Sequence, residues 1–296
     1  MKPVLCFDIG GTFVKYGLVD ETGRILTKGR FATDRGNGQT VLAEIDRIIE
    51  SCDVRGVSFS CPGFADDETG EIAAGNVIAG FNGLNLRERI GGRHGLPVAV
   101  ENDANCAALA EYVFGAGQGS RGLAVMTLGT GVGGGLVLNG KLWKGNRSMA
   151  GEFGFLFVHG IHTDCPEEEI LSAHGSVRAL TEAVNRELGT DLDGREIFDR
   201  AAAQDPICRK HIAHFLDSVA MGVYNVAYTL APDTILIGGA ISSREDLLPE
   251  IRQRVSALTP SFSLDLNETT KIDRCRFGND AGLIGACASF LQSDFR

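Results

Sequence analysis

The sequence predicts an α/β fold of two similar lobes separated by an interlobe cleft. Three observations carry that prediction. A strand, a glycine turn and a second strand open the chain, Val4-Leu-Cys-Phe-Asp8, then Gly10-Gly11-Thr12, then Phe13 to Val19. The same order recurs with Leu123 to Leu128, Gly129-Thr-Gly-Val-Gly-Gly134 and Gly135 to Leu138. Helices and strands alternate after each opening, which is the pattern of sheets covered by helices.

The elements follow in order. Asp20-Glu-Thr-Gly23 turns the chain into a third strand, Arg24 to Phe31, which completes a meander. Apolar residues at 41, 42, 45, 48 and 49 mark an amphipathic helix from about Thr40 to Cys52. Val54 to Ser60 is a strand ending in Cys61-Pro-Gly63, and a polar excursion with Asn76, Phe81 and Asn82 follows. Val98-Ala-Val100 is a short strand breaking into Glu101-Asn102-Asp103, and a helix runs from Ala104 to about Phe114.

Gly115-Ala-Gly-Gln-Gly-Ser-Arg-Gly122 lacks apolar periodicity and reads as a linker. In the second half, Asn139-Gly140 signals a two-residue hairpin leading to Lys141-Leu-Trp143. Helices are expected at about 167–186, 194–203 and 207–230, then the strand Thr234 to Ile237, a helix near 245–257, a strand near 271–277 and a helix at 280–292. The expected division is a smaller lobe of 1–115 with the C-terminal helix 280–296, and a larger lobe of 116–279.

Bulk properties exclude several classes. A net charge of −10 argues against nucleic acid as a partner, because a phosphate backbone attracts a basic face. No run of apolar residues is long enough to span a membrane, and the start, Met1 to Asp8, meets an acid too soon for a signal peptide. The eight cysteines form no CxxC pair, which fits reduced thiols in a cytoplasmic protein and gives no zinc-binding spacing.

The glycine turns are candidate phosphate sites. Gly129-x-Gly131-x-x-Gly134 formally matches the dinucleotide fingerprint, but a strand and hairpin follow where that motif requires a helix. GxxxxGK[ST] is absent. Glycine removes the Cβ that would keep phosphate oxygens from backbone N–H groups, so two such turns, each with a threonine, could hold one triphosphate. A tight hairpin is the alternative for each. Asp8 suits a Mg²⁺ held through water, and Lys15 could reach a terminal phosphate or simply be solvated. Asp103 stands at a strand's carboxyl end and a helix's start, where open α/β sheets place ligands and where Asp also serves as a helix cap.

Six spaced motifs together resemble the ROK family of sugar kinases and repressors: Asp8-Ile-Gly-Gly-Thr12, Cys61-Pro-Gly63, Glu101-Asn-Asp-Ala-Asn105, Leu128-Gly-Thr-Gly-Val-Gly-Gly-Gly135, Ala150-Gly-Glu-Phe-Gly154 and Ile237-Gly-Gly239. The resemblance implies the actin-like ATPase fold (ribonuclease H-like), with ATP and Mg²⁺ as cofactors, a small-molecule sugar as partner and a homodimer as the assembly. It implies Asp103 as catalytic base, taking the proton from a sugar 6-hydroxyl that attacks the γ-phosphate. Gly63, Asn76, Asn102, Glu152 and Glu168 would bind the sugar. Gly10, Gly11, Thr12, Thr130, Gly131 and Gly133 would face the phosphates, and Gly238 and Gly239 the adenosine.

Two departures stand out. Glu-x-Gly-His, common in the family, is here Glu152-Phe-Gly-Phe155, and the CxCGxxGC zinc cluster is replaced by Asp164-Cys-Pro-Glu-Glu-Glu169. No structural zinc and no zinc site are expected. Phe155 could pack on an aglycone or be a core residue. With Tyr224-Asn-Val, Asp205-Pro-Ile-Cys208 and Gly278-Asn-Asp-Ala-Gly-Leu-Ile-Gly-Ala286, the pattern most resembles the family's β-glucoside kinases. The alternatives are a glucokinase or N-acetylmannosamine kinase, or a sugar-sensing repressor, which would require a helix-turn-helix domain not read here.

Overall fold

The computed structural model describes residues 1–66, 69–160, 164–260 and 264–293, which form two compact units. Unit 1 comprises Met1–Gly119, Leu142–Ala150 and the C-terminal segment from Asn279; unit 2 comprises Ser120–Lys141 and Gly151–Gly278. The change of unit at Gly119 falls inside the glycine-rich stretch expected to be a linker. Residues 142–150, expected in the larger lobe, cluster instead with unit 1.

Unit 1 is built on strands β1 (Val4–Ile9), β2 (Phe13–Val19), β3 (Ile25–Ala32), β4 (Val57–Cys61) and β8 (Val98–Asn102), in the order β3-β2-β1-β4-β8. The meander is antiparallel, and β1, β4 and β8 run parallel with Asp8 beside Ser60, and Ser60 beside Glu101. β1 is buried on both faces, so its apolar run is continuous. Leu5, Phe7 and Ile9 meet the apolar stripe of α1 (Gly38–Glu50), made of Val41, Leu42, Ile45, Ile48 and Ile49. Val4 and Cys6 point the other way, against the C-terminal helix, with Leu283, Ala286, Cys287 and Phe290.

The polar excursion hides a small sheet that the sequence did not reveal, β5 (Phe64–Asp66), β6 (Glu71–Ala74) and β7 (Leu84–Asn85). A short α2 (Gly92–His94) precedes β8, and α3 (Asp103–Phe114) follows it.

Unit 2 carries β9 (Gly122–Leu128), β10 (Val132–Leu138), β11 (Lys141–Leu142), β12 (Thr234–Gly238) and β13 (Lys271–Arg274), in the order β11-β10-β9-β12-β13. Asn139 and Gly140 both have positive φ, 52° and 84°, as the hairpin signal requires. The helix expected at 167–186 is broken into a 3₁₀ turn Pro166–Glu168, α4 (Leu171–His174) and α5 (Val177–Leu188), interrupted at Gly175 and the capping Ser176. Then follow α6 (Gly194–Ala202), α7 (Pro206–Leu230), α8 (Leu247–Leu258) and α9 (Leu266–Thr269). α7 is pressed onto β9 and α4, where a side chain at Gly222 would meet Leu171 and Met126. The last helix, α10 (Ala281–Gln292), belongs to unit 1, and residues 294–296 of the expected C-terminal segment lie outside the described residues. No described helix is long and apolar enough to cross a membrane.

Candidate active site

The carboxyl ends of β1, β4 and β8 bring Asp8, Ser60, Cys61, Glu101, Asn102 and Asp103 together. Asp8 and Asp103 both raise the Cys61 thiol, after the larger effect of its burial, so both carboxylates lie near it. The capping question at Asp103 is answered by its neighbour. Asn102 is the N-cap, and its Oδ1 accepts from the N–H groups of Ala104 and Asn105 at 2.9 and 3.1 Å. Asp103 is the first helical residue and is exposed, with Oδ1 2.8 Å from the Ala104 N–H. Asn102 also donates through Nδ2 to the Gly63 carbonyl at 2.9 Å.

Beneath this corner lies Glu101, buried and held by the Asn102 N–H at 2.8 Å, Asn105 Nδ2 at 2.9 Å and Lys144 Nζ at 2.5 Å. Burial pushes its carboxyl up from the ordinary value, and the Lys144 charge only partly opposes this. Neither residue was singled out for a role from sequence, because the pair joins distant stretches of chain.

Gly63 has φ of 89°, and a side chain there would run into the Ala74 carbonyl. Asn76 is buried; it donates to the Pro62 carbonyl at 3.2 Å and accepts from the Ile78 N–H at 3.0 Å. It therefore shapes the loop beside Gly63, with one amide proton remaining for a ligand.

At the first glycine turn, the Gly10 N–H reaches the Phe13 carbonyl at 3.1 Å, and Thr33 ties down the carbonyls of Gly10 and Thr12. Lys15 donates to Asp8 Oδ2 and to the Asn279 carbonyl, both at 3.1 Å, while Ser60 donates to Asp8 Oδ1 at 3.0 Å. The Lys15 charge is thus engaged at Asp8. A cation missed from sequence lies at the turn itself, because Arg35 Nε donates to the Gly11 carbonyl. Its position after β3 carries no motif that could have revealed it.

In unit 2 the turn is only Gly129-Thr130-Gly131. Gly133 lies inside β10, paired with Thr127, and not in the expected turn. Ser172 Oγ accepts from the Val132 N–H at 3.0 Å, and Arg178 Nε donates to the Thr130 carbonyl at 3.0 Å. Gly238 ends β12 and Gly239 follows it; Gly239, with φ of 90°, packs so close to Leu128 that a side chain would strike its carbonyl.

Glu152 is half-buried, and burial raises its carboxyl above the ordinary value. Its segment is threaded between glycines: a side chain at Gly134 would overlap Phe153 and the Gly151 carbonyl, and one at Gly154 the Val132 carbonyl. Phe153 is core, whereas Phe155 is 61% exposed, so the core alternative for Phe155 is corrected. Glu168 is exposed in the 3₁₀ turn, on the rim of a groove also lined by His174, Arg178 and His214.

In unit 1 a carboxylate at a helix start shares the carboxyl ends of parallel strands with a glycine turn, an arrangement that suits phosphoryl transfer. The chain matches the ROK family over residues 4–293. It is 37% identical to a β-glucoside kinase of Listeria innocua, with 99% of each chain covered. It is 34% identical to a β-glucoside kinase of Klebsiella pneumoniae, with 98% of this chain and 96% of the relative covered. The crystal structure of a ROK family glucokinase from Streptomyces griseus, in complex with glucose and AMPPNP, overlays with a TM-score of 0.83 at 29% identity, covering 98% of this chain and 100% of that one. The chain belongs to the ROK family, has its two-lobed actin-like fold, and is an ATP-dependent sugar kinase.

Proposed function

We propose that the sugar is a β-glucoside such as cellobiose, phosphorylated at O6 of its non-reducing glucose. The observation that carries this reading is Phe155, a large apolar ring 61% exposed three residues after the half-buried Glu152. An exposed aromatic there offers a face to an aglycone or second sugar ring, where an imidazole would instead serve a free anomeric hydroxyl. The two β-glucoside kinases at 37% and 34% identity support the same choice.

Asp103 is the base in this reading. Its exposed carboxylate can meet a hydroxyl, and its proton-accepting step contributes about 10²- to 10⁴-fold. Asn102, Gly63 and Asn76 of unit 1 are sugar-binding residues in this reading, as are Glu152 and Glu168 of unit 2. The turns at Gly11–Thr12 and Thr130–Gly131 present backbone N–H groups to ATP phosphates, with Gly10 closing the first through its bond to Phe13 and Gly133 supporting the second from within β10. Gly238 and Gly239 take the adenosine in this reading, at the end of β12 where Gly239 lets the turn close against Leu128.

Asp8, already balanced by Lys15 and Ser60, fits a Mg²⁺ held through water better than one bound directly. Mg²⁺ would neutralise the phosphates' negative charge. The chain works as a cytoplasmic homodimer in this reading, on family resemblance and on its free thiols.

The test is coupled ADP release with Mg-ATP on cellobiose, glucose and N-acetylmannosamine, for the native chain and Asp103→Asn. The expected native preference in kcat/KM for cellobiose is about 100-fold. A preference for a free monosaccharide would overturn the substrate assignment. Asp103→Asn should bind sugar normally in calorimetry and lose most of kcat, and a near-normal kcat would remove Asp103 from the role of base.

A further inference from the structure

Three of the chain's six histidines meet at one place in unit 2, and no sugar or nucleotide role accounts for them. His159 follows the bridge between Phe157 and Ile170, His174 ends α4, and His214 lies in the first half of α7. Their ring centroids are 4.3, 5.0 and 5.1 Å apart, and one nitrogen from each lies within 4.8 Å of the others. His174 Nδ1 is 3.0 Å from His214 Nε2. Three imidazoles do not gather for apolar packing, because each ring has two nitrogens that need partners. Here the partners are incomplete: His174 Nε2 is buried with no hydrogen-bond partner.

The proton positions favour lone pairs over charge. Ser218 Oγ donates to the His214 carbonyl at 2.9 Å, so the 3.1 Å contact from His159 Nε2 is an N–H donating to Ser218. That leaves Nδ1 of His159 as its lone-pair nitrogen, and a second hydrogen bond fixing the tautomer is how metal-binding histidines are commonly oriented. Glu169 near His159 and Asp217 near His214 add negative charge around the cluster.

We propose that His159, His174 and His214 form a zinc site that clamps α4 to α7. Tetrahedral Zn²⁺ with nitrogen at about 2.1 Å sets its ligands about 3.4 Å apart, so the 3.0 Å pair needs little adjustment and His159 a small ring movement. Imidazole ligation suits Zn²⁺, and His174 and His214 also line a cleft of about 560 Å³ with Glu167 and Glu168. The site uses no cysteine, whereas the expectation of no zinc site rested on the cysteine spacing and the replaced cluster, so the proposal departs from that expectation. Its consequence is local order. α4 also carries Ser172, whose hydroxyl holds the Val132 N–H beside the Gly129–Gly131 turn, so a clamped α4 steadies that turn.

The experiment uses tag-free, chelator-treated full-length protein, titrated with ZnCl₂ by calorimetry, with metal content by mass spectrometry and melting followed in parallel. One zinc per chain is expected, with Kd below about 1 μM, a raised Tm, and visible absorption bands of tetrahedral nitrogen ligation on Co²⁺ substitution. His174→Ala and His214→Ala should each weaken binding by about 100-fold, whereas Cys165→Ser should leave it unchanged. His214 is exposed, so its variant keeps the fold even where His174→Ala does not. Binding no tighter than about 1 μM, unchanged binding in His214→Ala, or loss in Cys165→Ser would each overturn the proposal.

Discussion

At the residue scale, the proposed base is only as well placed as the corner that carries it, and Glu101 anchors that corner. It is 2% exposed, and its Oε1 accepts from the backbone of Asn102, the residue before Asp103. Burial is the largest influence on its carboxyl and raises it. Between the unfolded value near 4.5 and the raised folded value, the folded state keeps a proton that the unfolded state has released. The stability from this group is therefore complete below about pH 4.5 and is lost as pH rises through the folded value. Glu101→Gln removes that slope. Urea unfolding at a series of pH values just above 4.5 should show the native chain losing stability with pH relative to the variant. Parallel curves would mean that Lys144, not burial, governs the carboxyl.

At the element scale, sequence patterns exposed most strands and helices, because apolar period and glycine punctuation act locally. The meander, α1, α7 and the Asn139-Gly140 hairpin all follow from such patterns. What local patterns could not show is why a glycine is there. Gly131 turns the chain, whereas Gly133 and Gly134 lie in β10. Gly134 lets the segment around Glu152 pass against the strand, and a side chain there would overlap Phe153 and the Gly151 carbonyl. Gly134→Ala should destabilise the chain by about 1–3 kcal/mol, the range for overpacking. It should also displace Glu152 and raise KM for the sugar more than it lowers kcat. Steady-state kinetics against sugar at saturating ATP checks this, and a lower Tm with unchanged KM would separate Glu152 from sugar binding. The short strands β5, β6 and β7 escaped notice for a related reason: they are brief, rich in glycine turns and without alternation.

At the scale of the whole molecule, contacts between distant stretches were the part of the chain least legible in advance. The two-fold recurrence of strand, glycine turn and strand pointed to two units, with the C-terminal helix in the first, but did not place Leu142–Ala150 there. Nor did spacing reveal the three histidines, since their separations match no ligand motif. The return of α10 has a direct consequence for stability. Its Leu283, Ala286, Cys287 and Phe290 complete the cluster around Val4, Cys6 and Cys106, and the Ala286 carbonyl accepts from Ser58 Oγ at 2.7 Å. Helix α10 lies so close to α3 that a side chain at Gly285 would strike the Cys106 carbonyl. Burying each large apolar side chain contributes about 1.5–3 kcal/mol. Losing the set removes much of the roughly 5–15 kcal/mol that holds a domain folded. A chain ending at Gly278 should therefore leave unit 1 without a cooperative transition, open to protease between β1 and α3, and inactive. Leu283→Ala, a smaller cut in the same cluster, should cost about 2–5 kcal/mol yet keep turnover at low temperature. Protease digestion with activity assays on both variants decides the matter, and native activity in the shortened chain would show that unit 1 stands without its last helix.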